Sequence, residues 1–289
     1  MSPDEYCREK AIPPGSDLYY AMLYVPGPKR RAAIALHAFH RELNGIIEAD
    51  HDPAVAGQRL AWWRSEIQAL YGGRPQHPVS RALAAALGEP PLPQDRFQEP
   101  IEALHKDLDT PAYADFETLS RHCRRVSGVL WQSWAEILGH TRQATLHAAR
   151  DLGVGLQLTQ ILWELRRDLH RGHLYLPLDE LERFGVSRAQ LEGAHATAGI
   201  RPLLAHQAAR ATALLQRGLE GIPAPDRAAQ LGPIVMARLQ QEALREMERD
   251  GFRVLEHRIA LPPLRKLWLA WRSAARERRG RAPRHRKAV

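Results

Sequence analysis

Apolar residues in this chain recur three and four positions apart, the spacing that lines one face of a helix, and proline and glycine cut the pattern into helix lengths. After Pro26-Gly27-Pro28, the residues Ile34, Leu36, Phe39, Leu43, Ile46 and Ile47 keep that rhythm. Pro28 suits a first turn, where its missing N–H costs nothing. Asp52-Pro53 reads as an N-cap followed by a first-turn proline, and Gly72-Gly73 closes the helix they open. A third helix begins at Pro78. Further helices are predicted over 97–107, 114–139 and 145–170, with a short one over 178–184 stopped by Gly185 and another capped by Ser187. Amphipathic stretches over 203–219, 227–250 and 262–279 complete the pattern. No run of alternating β-branched residues with hairpin turns appears, no internal repeat, and no linker long enough to separate domains. The expectation is one all-α domain over 1–271 followed by a basic tail over 272–289.

Two of these helices carry polar groups in ordered stripes. His37, Arg41, Asn44 and Glu48 lie 4, 3 and 4 apart, and Gln157, Gln160, Glu164, Asp168 and Arg171 lie 3, 4, 4 and 3 apart. Residues so spaced share a helix face, while the remaining positions of the second helix are largely apolar (Leu156, Leu158, Ile161, Leu162, Trp163, Leu165). Two readings stand. The stripes are ordinary solvated surface with i,i+4 pairs, or they are the polar walls of a cavity. In the second case facing carboxylates suit magnesium, which takes oxygen ligands and bridges one or two carboxylates to substrate phosphates. Arg41 and Arg171 would then add bidentate phosphate contacts.

Composition narrows the partners. The chain has 289 residues, 44% of them hydrophobic, enough for one large core or two ordinary ones. Its formal net charge is +8, carried almost wholly by arginine, which favours anionic partners. The two cysteines, Cys7 and Cys123, make a disulfide framework improbable, have no metal-binding spacing and fit a reducing compartment. Met1 to Lys10 is polar and lacks the apolar stretch of a secretory signal, and no run approaches the ~20 apolar residues of a membrane span. The expected location is cytoplasmic, with attachment to the inner membrane face from the surface alone. From Arg272 onward the chain is strongly basic, just after Leu264, Leu267, Trp268, Leu269 and Trp271. That segment reads either as a last core helix with a solvated tail or as an aromatic and electrostatic anchor on an anionic bilayer. No nucleic-acid motif accompanies it, and no nucleic-acid partner is expected. The 14 histidines are scattered without a metal-ligand motif, and neither a Gly-rich phosphate loop nor a nucleophile elbow is present.

Longer strings carry a resemblance. Tyr19-Tyr20-Ala21 and the run Ala38-Phe39-His40-Arg41-Glu42-Leu43-Asn44-Gly45-Ile46-Ile47-Glu48 resemble the first substrate-binding region of squalene and phytoene synthases. The run from Gln157 to Asp168, followed by Arg171-Gly172-His173-Leu174-Tyr175-Leu176-Pro177, resembles the second. The resemblance implies an isoprenoid-synthase helical fold around a central cavity. It also implies head-to-head condensation of two allylic diphosphates, farnesyl or geranylgeranyl, with magnesium assisting the loss of diphosphate, and NADPH only in the squalene-forming branch. On that basis Glu48, Glu164 and Asp168 are the expected catalytic metal ligands. Arg41, Asn44, Tyr19, Gln157, Gln160, Arg171 and Tyr175 are the expected substrate contacts. Asp107 is either a cavity-facing group of the same set or a surface acid.

The same alignment shows departures. Asn44 and Glu48 stand where the family has the aspartates of its first motif, Gly45 replaces another, and Glu164 replaces the first aspartate of the second. Arg166 and Arg167 fall inside the second motif, pointing either to solvent or into the cleft. His122 and Arg124 occupy tyrosine positions, Trp131 lies near a usual glycine, and Trp163 replaces an arginine. Bulky side chains at 131 and 163 would shorten or block a prenyl tunnel. These changes are similar to a branch of the family that includes a mitochondrial complex I assembly factor. They motivate an alternative: a catalytically degenerate relative that binds lipid or scaffolds a membrane complex.

Overall fold

Ser2 and Ser16 each accept a hydrogen bond from a backbone N–H three residues on, and each thereby starts a helix that the apolar pattern did not announce. In the computed structural model, which describes residues 1–49, 52–88, 91–110, 112–193, 199–257 and 259–279, these are α1 (Pro3–Ala11) and α2 (Asp17–Met22). The remaining helices are α3 (Gly27–Ala49), α4 (Pro53–Tyr71), α5 (Pro78–Ala86), α6 (Asp95–Asp107), α7 (Phe116–Cys123), α8 (Val129–Leu138), α9 (Gln143–His170), α10 (Leu178–Arg183), α11 (Arg188–Glu192), α12 (Ile200–Gly221), α13 (Leu231–Arg249) and α14 (Pro263–Arg279). Asp52 caps α4 through the N–H of Ala54, and Ser187 caps α11 in a reciprocal box with Gln190. Among the described residues the only extended pairing is a single bridge between Ala112 and Leu174.

The 28-residue α9 is the axis of the molecule. It packs against α12 closely enough that a Cβ on Gly155 would lie 2.9 Å from Leu215 Cγ, and one on Gly218 would lie 2.6 Å from Leu152 Cγ. On another side, a Cβ on Gly153 would lie 2.6 Å from the carbonyl oxygen of Ser127 and 2.8 Å from Gly128 Cα. Those last two residues belong to Arg124–Gly128, a widened π turn that joins α7 to α8 without a break. Such a turn inserts an extra residue and re-aims the side chains on one face. Phe39 of α3 closes the core beside it, edge-on to Trp63 and Phe97 at 5.3 and 5.4 Å.

The C-terminal helix does not break at 271, and the amphipathic stretch predicted over 262–279 is one element. It runs unbroken to Arg279, with Ala274 buried and Glu277 held by Arg227 at 2.6 Å. Nor is it a core helix. It buries Ala270 and Ala274, while Leu264, Leu267, Trp268 and Trp271 are 45–82% exposed. The rest of the basic tail lies outside the described residues.

Candidate active site

The two polar stripes face each other. α3 and α9 present them to one cavity of about 1100 Å³, counting its solvent-open mouth. From α3 come His37, His40, Arg41, Asn44 and Glu48, and from α9 Gln157, Gln160, Glu164 and Asp168. Arg171, His173 and Tyr175 join them from the segment after α9. Leu104, Val126, Leu130, Trp131, Leu156, Ile161 and Met236 supply apolar wall. The polar groups at the C-terminal ends of α3 and α9 are part-exposed, while Leu130, Trp131, Leu156 and Ile161 are buried. The cavity therefore has a charged rim and an oily interior.

At the rim each carboxylate has a different setting. Glu48 lies 3.9 Å from the Arg41 guanidinium. Glu164 pairs with Arg167 at 2.9 Å and accepts from Gln160 at 3.3 Å. Asp168 is part-buried near the end of α9. Burial, then the neighbouring Glu164 charge and that of Glu48, push its carboxyl up to about 7 against the pull of Arg171 and Arg167. Asn44 contributes no charge, and its amide lies 3.3 Å from His40 Nδ1. His37 Nδ1 and His40 Nε2 are buried without a hydrogen-bond partner, and burial drives both imidazoles below their usual range, His40 to about 4.

Asp107 takes neither the cavity wall nor the surface. It is 1% exposed, behind the wall, and accepts from Tyr113 Oη and, at 2.7 Å, from Tyr175 Oη. The Ala112–Leu174 bridge sets those two tyrosines side by side, their rings stacked 5.9 Å apart. His122 fills the next position, its Nδ1 3.8 Å from Asp107 Oδ1, and its ring faces the cavity.

Several expectations change. Tyr19 does not reach this cavity. Six-residue α2 turns Leu18 and Tyr20 inward and leaves Tyr19 39% exposed beside a separate groove bounded by α1 and α3. Trp163 is not among the lining residues, and Trp131, though in the wall, packs against Trp134 at 4.9 Å and leaves the cavity open. Arg166 turns outward to the carbonyl of Glu256 at 3.1 Å, and Arg167 clasps Glu164 without lining the cavity. Beyond the stripe residue His37, cavity groups absent from the expected set include His40, His122 and His173. His40 lies three residues after His37 and four before Asn44, so the stripe itself contained the signal.

Among the described residues no three His, Cys, Asp or Glu side chains gather into a metal-binding cluster of their own. The donor chemistry still fits a hard dication that brings part of its coordination with a phosphate ligand. Three carboxylates line one cavity, and the repulsion felt at Asp168 is what added positive charge relieves.

The squalene/phytoene synthase sequence profile matches residues 13–265. A phytoene synthase of Arthrospira platensis is 27% identical over 91% of this chain and 89% of its own length. The phytoene synthase of Mycobacterium tuberculosis is 30% identical over 88% of this chain and 84% of its own. A ligand-bound dehydrosqualene synthase superposes with a TM-score of 0.83 at 21% identity, covering 96% of this chain and 97% of that one. That likeness establishes the isoprenoid-synthase helical fold. These matches are to synthases, and the scaffold reading finds no support in them.

Proposed function

The chain belongs to the squalene/phytoene synthase family, and from that premise we propose that it is a prenyltransferase joining two allylic prenyl diphosphates head to head. The observation that carries the reading is the meeting of both polar stripes at the rim of one apolar cavity. Glu48, Glu164 and Asp168 would hold magnesium, which when bound supplies positive charge to the departing diphosphate. Arg41 and Arg171 offer guanidinium donors to the phosphate oxygens, and Gln157 and Asn44 offer neutral amides beside them. The prenyl chains enter the interior along Leu130, Leu156 and Ile161, which exclude water from the carbocation. Trp131 and Tyr175 are the aromatic members of the lining, the residue type that can stabilise such positive charge.

The double variant Glu164→Ala/Asp168→Ala tests the assignment. Magnesium-dependent release of diphosphate from farnesyl or geranylgeranyl diphosphate is expected to vanish while the helical circular-dichroism spectrum is kept. Undiminished turnover would sink it. Extraction of C30 and C40 products, with and without NADPH, identifies the chain length and the branch.

The same reading includes work at a membrane surface. No helix among the described residues is long and apolar enough to cross a bilayer. Leu264, Leu267, Trp268 and Trp271 instead form an exposed stripe on α14, and Arg272 lies 5.0 Å over the Trp268 ring. Aromatic and aliphatic groups flanked by arginine suit an anionic lipid surface.

A further inference from the structure

A condensation that proceeds through a carbocation must end by discharging it, and few groups inside this cavity could accept a proton. Tyr175 and Tyr113 both donate their hydroxyl protons to Asp107, and burial with that carboxylate pushes both phenols far up. The rim carboxylates stand at the diphosphate end. That leaves four lining histidines: His37, His40, His122 and His173. His122 alone has a carboxylate at ion-pair distance among the described residues, with Asp107 3.8 Å from its Nδ1. His37 and His40 instead lie beside each other and the positive Arg41, which opposes protonation of either.

We propose that His122 is the terminal base of the reaction, with Asp107 as the positioning residue behind it; this rests on the condensation reading above. The unprotonated ring nitrogen takes a proton from a carbon adjacent to the cationic centre. The C–H electron pair becomes a C=C bond, the positive charge passes to the imidazole, and the imidazolium lies against Asp107. The proton leaves to solvent when the cavity opens for product release. No reductant is consumed, so the product is an unsaturated hydrocarbon rather than a reduced one. Resting neutrality of His122 follows from its surroundings. Burial lowers its proton affinity, Asp107 raises it in part, and Arg125 lowers it again, while the Tyr113 and Tyr175 rings stand 5.4 and 6.1 Å away. The ring is thus free of a proton when the cation forms and has a counter-charge once it takes one.

The assay measures diphosphate release and hydrocarbon yield separately, from farnesyl and geranylgeranyl diphosphate with magnesium, without NADPH. His122→Gln keeps the size and polarity of the side chain but removes the base. Diphosphate release is expected within about threefold of the parent, and hydrocarbon yield is expected to fall by about 10²–10⁴-fold, the range for loss of a general base. Water-quenched alcohol should accumulate in its place. Asp107→Asn should move the acid limb of hydrocarbon formation to lower pH, because the imidazolium loses its partner; a purely structural role would lower yield without moving the limb. Parent-like hydrocarbon yield from His122→Gln overturns the base assignment and leaves the condensation reading standing. Hydrocarbon formed by the parent only when NADPH is added overturns the base assignment alone, and a parent that makes none with or without NADPH overturns both.

Discussion

Asp168→Asn should make the metal-free protein more stable while removing its function. The carboxyl of Asp168 is held at about 7 by burial and by Glu164 and Glu48, against an ordinary 3.8. Each unit is worth about 1.4 kcal/mol, so ionising it in the folded state costs up to about 4 kcal/mol, and solvent at the mouth trims this to about 2–4. Below about pH 4 both folded and unfolded chains carry the proton, and the group contributes nothing. From pH 4 to 7 the unfolded chain releases it first, so parent stability falls as pH rises. Above about pH 7 the full cost is present. Asparagine mimics the neutral acid and escapes that cost. For a chain of this size the gain corresponds to roughly 3–7 °C in Tm at pH 8, shrinking toward zero near pH 4. Scanning calorimetry in chelator at several pH values measures it. A variant no more stable than the parent at pH 8, or a gain that is constant with pH, would refute the account of Asp168. The same variant should lose magnesium-dependent diphosphate release, the usual conflict between stability and a strained site.

Two further outcomes are expected. Gly153→Ala puts a methyl 2.6 Å from the Ser127 carbonyl oxygen, and because the neighbour is backbone, the cost should reach about 1–3 kcal/mol; a melting temperature within a degree of the parent would show that α9 and the π turn are not so close. Trp268→Glu with Trp271→Glu should lower co-sedimentation with phosphatidylglycerol vesicles at least tenfold, yet leave turnover of detergent-dispersed substrate unchanged, since neither tryptophan lines the cavity. Vesicle binding equal to that of the parent would remove α14 as the docking face.

The helices that could be read in advance were those whose burial is written as local period. α3 and α9 keep three-and-four spacing in their apolar positions and again in their polar stripes, so the sequence named both the elements and the faces that meet. α1 and α2 escaped for opposite reasons: α1 is too polar to show an apolar rhythm, and α2, Asp17–Met22, is apolar at nearly every position and only six residues long. Tyr19 was misplaced for a related reason. A six-residue helix with one polar residue offers too little contrast between its faces to reveal which way it turns, and resemblance alone supplied the residue. For α14 the composition offered tryptophan and leucine, but which face is buried was decided by α13 and α2, which chose the alanines. The Asp107–His122 pair was illegible as a pair. Its members sit on different helices, and their approach depends on how Tyr113 and Tyr175 are aligned by a bridge between distant segments.

Seen as charge, the substitutions at the rim redistribute function. Asn44 brings no charge and lies beside His40, Glu48 stands by Arg41, and Glu164 is clasped by Arg167, so the electrostatic burden falls on Asp168. Glu48, Glu164 and Asp168 are set against Arg41, Arg167 and Arg171, which leaves this rim near neutrality. A near-neutral rim does not repel an incoming diphosphate, and it holds a dication weakly by itself, in keeping with the absence of a self-contained metal cluster among the described residues. A fourth carboxylate at 44 would raise affinity for the ion alone and push Asp168 still further from ionisation. On the proposed reading, asparagine there would leave metal and substrate each to complete the site for the other, so the loss of one carboxylate is compatible with catalysis and would make binding of the two cooperative.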